Sequence, residues 1–240
     1  MANFSLKITH HRCTVNNTLI SKETFSILKE LAQNNNKEWF EKNKPIFKQH
    51  EAHVKSFFAS LQERMNLHDD IEKMKMFRIY RDVRFSKDKT PYKTHFAGSF
   101  SRLGSRLRGG YYLQLKPGGS FAATGFWGPE KEDLFRIRKE LEMDATDFRK
   151  VINEKSFKQI WGDLIGEEVK SAPKGFDKEH PNIDLIKKKQ FIFVRHFSDS
   201  EVHSKDFIGE VDKSFKAIRP YFDLMSDILT TNLNGESLLD

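Results

Sequence analysis

Tyr111-Tyr-Leu-Gln-Leu-Lys-Pro-Gly-Gly-Ser-Phe-Ala-Ala-Thr-Gly-Phe-Trp127 reads as two strands joined by a tight turn. Tyr111–Lys116 and Phe121–Trp127 flank Pro117-Gly118, which suits a type II turn: proline presets the first central position and glycine accepts the positive φ of the second. Two segments upstream also read as strands, with no helix between them. Phe77–Phe85 runs into a loop at Ser86–Lys89. Lys93–Phe100 follows Thr90-Pro91, where the proline pushes Thr90 out of helical geometry. Ser101–Gly110 is rich in Gly and Arg and reads as a loop too basic for the core. Phe191–Phe197 adds a later strand. Strands in succession pair antiparallel, so the expected fold is α+β: a single domain, mainly an antiparallel sheet of about five strands with helices packed over one face.

Helices surround this block. Ser21 is a candidate N-cap for a helix with Phe25, Leu28, Leu31 and Ala32 on one stripe. Gln33-Asn-Asn-Asn36 ends it, the asparagines act as caps, and Asn35 with Glu38 has capping-box spacing for the next helix. There Phe40, Phe47, Val54 and Leu61 recur every seventh residue, with Phe58 and Met65 beside them, the mark of a helix laid against a core. Trp39-Phe40 reads as core packing, and Pro45 predicts a kink or a restart. Past Trp127, Gly128-Pro129 opens a helix with Glu130, Glu132 and Asp133 near its N-terminus and Leu134, Ile137 and Leu141 along its stripe. Short helices are expected over Asp144–Asn153 and Ser156–Leu164, then a loop over Pro173–Pro181 and a helix Ile183–Lys189 capped by Asn182. A helical tail from Ser200 to Asn232 breaks near Arg219-Pro220. Residues 1–20 lack a clear period and read as a poorly ordered extension, leaving one domain over residues 21–235.

At 240 residues, with 22 Phe and 38% hydrophobic content, the chain can bury a large core rich in phenylalanine. No apolar run approaches the length of a membrane span, and Met1–Ile20 places His10, His11, Arg12 and Cys13 where an export signal needs an apolar centre. A cytoplasmic protein without a membrane partner is expected. Cys13 is the only cysteine, which excludes an intrachain disulfide and argues against a cysteine-based zinc site. The net charge of +7 is unevenly spread. No Asp or Glu occurs from Lys89 through Pro129, and residues 78–129 hold ten Lys or Arg against two Asp, a net +8 that leaves −1 for the rest. That clustering favours an anionic partner at this segment; the alternative is that acidic helices pack over it and cancel its field.

The stretch Phe77–His95 carries the candidate chemistry. At strand spacing, Phe77, Ile79, Val83 and Phe85 share one face and Arg78, Tyr80, Asp82 and Arg84 the other. Arg81 falls on the apolar face and so requires a partner or a bulge. Arg78, Arg81, Arg84, Lys89 and Tyr92 are the candidate anion-binding residues, since guanidinium forks and an ammonium suit phosphate or carboxylate. Asp82 and Asp88 would orient them. Flanking arginines should hold Asp82 ionised and make it a poor base, so Tyr92 and His95 are the weak candidates for proton transfer. Asp82, Asp88 and His95 are too loosely spaced, among too many lysines, to predict a metal, and no cofactor motif is present.

Arg78-x-x-Arg81-Asp82-x-Arg84-Phe85-x-x-x-Lys89-x-x-Tyr92 resembles the signature of the domain of unknown function 2461 family, bacterial proteins of about this length also seen as a segment of larger fungal ones. Asn35-x-x-Glu38-Trp39-Phe40, Gly110-Tyr-Tyr-Leu-Gln-Leu115 and Gly125-Phe-Trp-Gly-Pro129 resemble it too. The resemblance covers roughly residues 21 to 225, with Pro45 and the first 20 residues as departures. It implies one undivided domain and brings with it no activity, cofactor or catalytic residue.

Three readings follow. In the first, a phosphorylated small molecule or nucleotide is bound by the arginines, with or without chemistry. The second is a nucleic-acid-binding module whose Tyr111 or Tyr112 stacks on bases. The third is an Arg/Asp/Tyr latch in a protein-interaction domain. A concave pocket lined by Arg78, Arg84, Lys89 and Tyr92 would favour the first. A flat basic face with exposed aromatics would favour the second, and mutually paired Arg and Asp the third.

Overall fold

The computed structural model describes residues 19–239. Helices α1 (Lys22–Gln33) and α2 (Lys37–Met65) lead into the strands β1 (Ile71–Met76), β2 (Phe96–Arg102), β3 (Gly110–Leu115) and β4 (Ser120–Phe126). Helices α3 (Lys131–Met143), α4 (Thr146–Asn153), α5 (Lys155–Trp161) and α6 (Ile183–Ile186) follow, then β5 (Phe191–Phe197) and the helices α7 (Asp199–Val202), α8 (Phe207–Ala217) and α9 (Arg219–Thr230). The strands form one antiparallel sheet in chain order, β1-β2-β3-β4-β5. The fold is the expected α+β one. Among the described residues no helix is long and apolar enough to cross a membrane.

The hairpin at the sheet's centre forms as its sequence requires. Gly118 adopts φ +66°, and the Gly119 amide donates to the Lys116 carbonyl at 2.9 Å. Register then sorts the side chains. Phe100, Tyr111, Phe126 and Phe193 face the helices, where Phe215 of α8 and Tyr221 and Phe222 of α9 close over them. From α2, Phe40, Phe47, Val54 and Leu61 are all fully buried, and Phe58 stacks on Phe100 with ring centroids 5.7 Å apart. The α2 helix lies so close to β2 that a Cβ on Gly98 would stand 2.6 Å from the Phe58 ring. The opposite face of the sheet carries Lys75, Ser99, Tyr112, Phe121 and His196, and these are half-buried or exposed.

Several expectations need correction. The first strand is Ile71–Met76, not Phe77–Phe85, so Ile79 is buried while Phe85 is 96% exposed rather than sharing a face. Past Met76 the ladder with β2 ends, and the two arms of the segment meet at an isolated Tyr80–Tyr92 bridge. Its sequence hid β1, since Glu72, Lys73 and Lys75 leave only methionines to mark the alternation. Arg102, placed in a basic loop, ends β2 inside the core. Its guanidinium donates to Asp69 at 3.1 Å and to the Arg108 carbonyl at 2.8 Å. Tyr111 donates its hydroxyl to Asp69 as well, and Arg219 stands 3.2 Å from that carboxylate. Asn36, not Asn35, caps α2, and α2 runs unbroken through Pro45. Asn182 precedes α6 but spends its side chain on the Leu141 carbonyl and on Arg149. The expected extension lies outside the described residues except for Leu19 and Ile20; their carbonyls accept from His53 and His203, and Ile20 is fully buried.

Candidate functional site

Residues 77–95 leave the regular ladder but keep its direction. The Phe77 amide donates to Ala97, the Lys93 amide to Ile79 at 2.7 Å and the Arg81 amide to Pro91 at 2.9 Å. Tyr80 bridges Tyr92. At the tip, the Arg81 guanidinium donates to Asp88 at 2.5 Å and to the Thr90 carbonyl at 3.2 Å. The Thr90 amide, then the Arg81 guanidinium and the Thr90 hydroxyl, push the Asp88 carboxyl down to about 2. Arg84 forks onto Asp82 at 2.9 and 2.6 Å, both residues being largely exposed. That fork holds the Asp82 carboxyl below its usual range, with the Arg78 charge adding to it. Lys89 donates to the Val83 carbonyl at 2.9 Å.

Tyr92 lies beneath this loop. It is only 4% exposed, its ring stacks on Phe40 at 4.1 Å, and burial raises its hydroxyl above the usual phenol range. The loop thus gathers Arg81 with Asp88, and Arg84 with Asp82 and Lys89, with Arg84 exposed and Tyr92 buried against Phe40. Among the described residues no three His, Cys, Asp or Glu side chains stand close enough to hold a metal.

Where the loop rejoins the sheet, a different set converges. Lys93 donates its ammonium to the Arg78 carbonyl at 2.9 Å and lies 5.8 Å from the Phe77 ring centre, with Lys75 over the same ring at 5.9 Å. His95 is pushed down to about 4, by burial first and then by the charges of Lys93 and Lys116. Burial also lowers Lys93, and the Arg78 charge adds to that. Among the described residues, no carboxylate lies within ion-pair distance of Lys75, Arg78, Lys93 or Lys116. Arg102 and Arg108 differ: Asp69 and Asp133 answer their charges.

A row of rings continues from this point across the open face. Phe77 to Tyr112 is 6.2 Å between centroids, Tyr112 to Phe121 is 5.5 Å, and Phe121 to His196 is 6.0 Å. The Tyr112 hydroxyl donates to Gln114 at 3.2 Å, which fixes that ring. Beside the row lies a hollow of about 420 Å³, mostly apolar, walled by Tyr112, Phe121 and Trp127. Its floor is bare backbone where Gly110 pairs with Gly125, since neither residue has a side chain to fill it. Gly125 has φ +116°, and a Cβ would stand 2.2 Å from the Phe191 carbonyl oxygen, so the backbone itself demands glycine.

The family model described as a conserved hypothetical protein, DUF2461, matches residues 23–224. The chain belongs to this family. No curated protein and no solved structure matches it significantly. The four stretches that resembled DUF2461 meet in pairs. Asn35 and Phe40 of one hold Tyr92 of another, and Tyr112 and Trp127 of the remaining two wall the hollow.

Sequence reasoning passed over Lys75, Phe77, Phe121 and Trp127 as site residues, and counted Lys93 and Lys116 only as charge. The signal that could have found the last two is the acid-free run from Lys89 through Pro129. It spans three neighbouring strands, so its cations have no carboxylate beside them on the open face. Of the two tyrosines expected to be exposed, Tyr111 is buried against Asp69 and Tyr112 is half-exposed, because adjacent residues in a strand face opposite ways.

Proposed function

We propose that the protein binds a phosphate-bearing ligand where the 77–95 loop rejoins the sheet, with Arg78, Lys93 and Lys75 as donors. One observation carries this reading: Lys93 donates to the Arg78 carbonyl and shares the Phe77 ring with Lys75, Lys93 and Lys116 act on the half-buried His95, and among the described residues none of these four cations has a carboxylate within ion-pair distance. Like charges brought together without counter-charge destabilise the fold, and an anion relieves that cost. Arginine supplies a two-pronged donor and the lysines supply point charges, the set suited to phosphate. In this reading Arg81, Arg84, Asp82 and Asp88 form the latch that holds the loop, and Arg78 alone of the arginines contacts ligand. Neutral His95 accepts a hydrogen bond from a protonated phosphate or, once an anion arrives, takes up a proton and donates one.

Calorimetric titration with pyrophosphate tests this. Arg78→Ala and Lys93→Ala should each weaken binding by about 10- to 150-fold, the span of one charge-assisted hydrogen bond, while Arg84→Ala leaves it within about twofold. Loss of binding in Arg84→Ala with Arg78→Ala unaffected would move the site to the loop tip.

A further inference from the structure

We propose that the phosphate-bearing ligand is single-stranded nucleic acid, laid across the open face of the sheet with its bases on the row Phe77, Tyr112, Phe121 and His196. The inference rests on the phosphate reading and adds the polymer to it. The row is longer than one base needs. Four rings follow one another at 5.5 to 6.2 Å from Phe77, just past β1, to His196 of β5, and no strand of the face interposes a carboxylate. A mononucleotide covers one ring and leaves the others in water. A strand covers them in turn, and each base has a π-face to offer whatever its identity.

The charges are arranged to match. Lys75 and Lys93 stand over the first ring, Lys93 donates to the Arg78 carbonyl, and Lys116 follows β3 where His95 precedes its partner β2, so the backbone enters at the cationic end. The hollow beyond Tyr112 gives one base a deeper seat. It is apolar, with Ser99 and Ser101 at its edge for polar groups, and Trp127, 67% exposed, forms its outer wall. A sheet that presents aromatic rings flanked by lysines is a stacking platform with an electrostatic guide. An ordinary solvated sheet face has no need of an exposed tryptophan over a glycine-floored depression.

Fluorescence anisotropy of the full chain with a labelled oligodeoxythymidine of about ten nucleotides tests the proposal. Its uridine counterpart and an abasic strand of equal length serve as comparisons, so the readout does not depend on a variant's folding. Binding should strengthen with strand length and fall steeply with salt. The abasic strand should bind at least about fivefold more weakly, and Tyr112→Ala or Phe121→Ala should lose about 5- to 150-fold with pyrophosphate binding unchanged. Equal affinity for the abasic strand would overturn the stacking row. An oligonucleotide held no tighter than thymidine monophosphate would overturn the polymer while leaving the phosphate reading intact. Failure of pyrophosphate and every strand alike would remove both. A stable dimer dispersed by Phe121→Glu would assign the face to a second copy of the chain instead.

Discussion

Asn35 holds both backbone polar groups of Tyr92, accepting from its amide at 3.1 Å and donating to its carbonyl at 2.9 Å. A residue at the junction of α1 and α2 thereby fixes the returning arm of a loop 57 positions later. With Phe40 stacked on the same tyrosine, this pins the segment from which Lys93 and His95 project. Asn35→Ala leaves two partly buried groups unpaired and should cost about 1–3 kcal/mol each way such a loss is felt. Urea denaturation measures the loss, and amide exchange at Arg81 and Lys93 should quicken. Unchanged exchange there would mean that the latch at the loop tip suffices.

Arg102 and Asp69 form an ion pair whose side chains are both fully buried. Removing Arg102 leaves the buried Asp69 carboxylate with Arg219 and the Tyr111 hydroxyl as its remaining side-chain partners, so Arg102→Met should destabilise by about 3 kcal/mol, the low end for a broken buried pair. The same change should leave pyrophosphate binding in the folded fraction untouched, because Arg102 faces the helices. A stable Arg102→Met protein that had lost binding would place this network in the site.

Gly98 sits under α2 with no room for a side chain. Gly98→Ala sets a methyl 2.6 Å from the Phe58 ring and 3.1 Å from the Lys75 carbonyl, and should cost about 1–3 kcal/mol as overpacking. Pairing it with Phe58→Leu should recover part of that cost. Thermal melts of the two variants decide it, and a stable single variant would show that α2 can shift.

The pH dependence of stability carries the signature of His95. Its imidazole is pushed down to about 4 in the folded chain, against about 6.5 when unfolded. The unfolded state takes the proton first, so the stability that neutral His95 confers is complete above about pH 6.5 and drains away as pH falls toward 4. Relative to His95→Gln, the wild-type protein should lose on the order of 1–2 kcal/mol across that window, less than the full shift implies because solvent screens the partly exposed ring. Parallel stability curves for the two proteins would contradict this. Bound pyrophosphate should raise the imidazole's midpoint, read by NMR, because an anion favours the protonated ring.

Much of the fold was legible because its signals were local. Pro117-Gly118 specified the central turn, and Phe40, Phe47, Val54 and Leu61 specified the buried face of α2. Strand β1 was not, since its Lys73 and Lys75 point to the open face and its inward residues after Ile71 are flexible methionines. For the site, the sequence located the cationic segment but could not divide it. Which cations are answered depends on Asp69 and Asp133, both outside the acid-free run, and which arginine faces inward depends on register. Arg81 has partners in Asp88 and Thr90, although the apolar strand face that would require them does not form.

The most direct measurement is amide chemical-shift mapping of the full chain as pyrophosphate is added, followed by the oligodeoxythymidine. Pyrophosphate should move Lys75, Phe77, Lys93 and His95, and the strand should extend the shifts to Tyr112, Phe121 and Trp127. Shifts confined to Arg84–Lys89 at the loop tip, or absent from the open face altogether, would contradict the account.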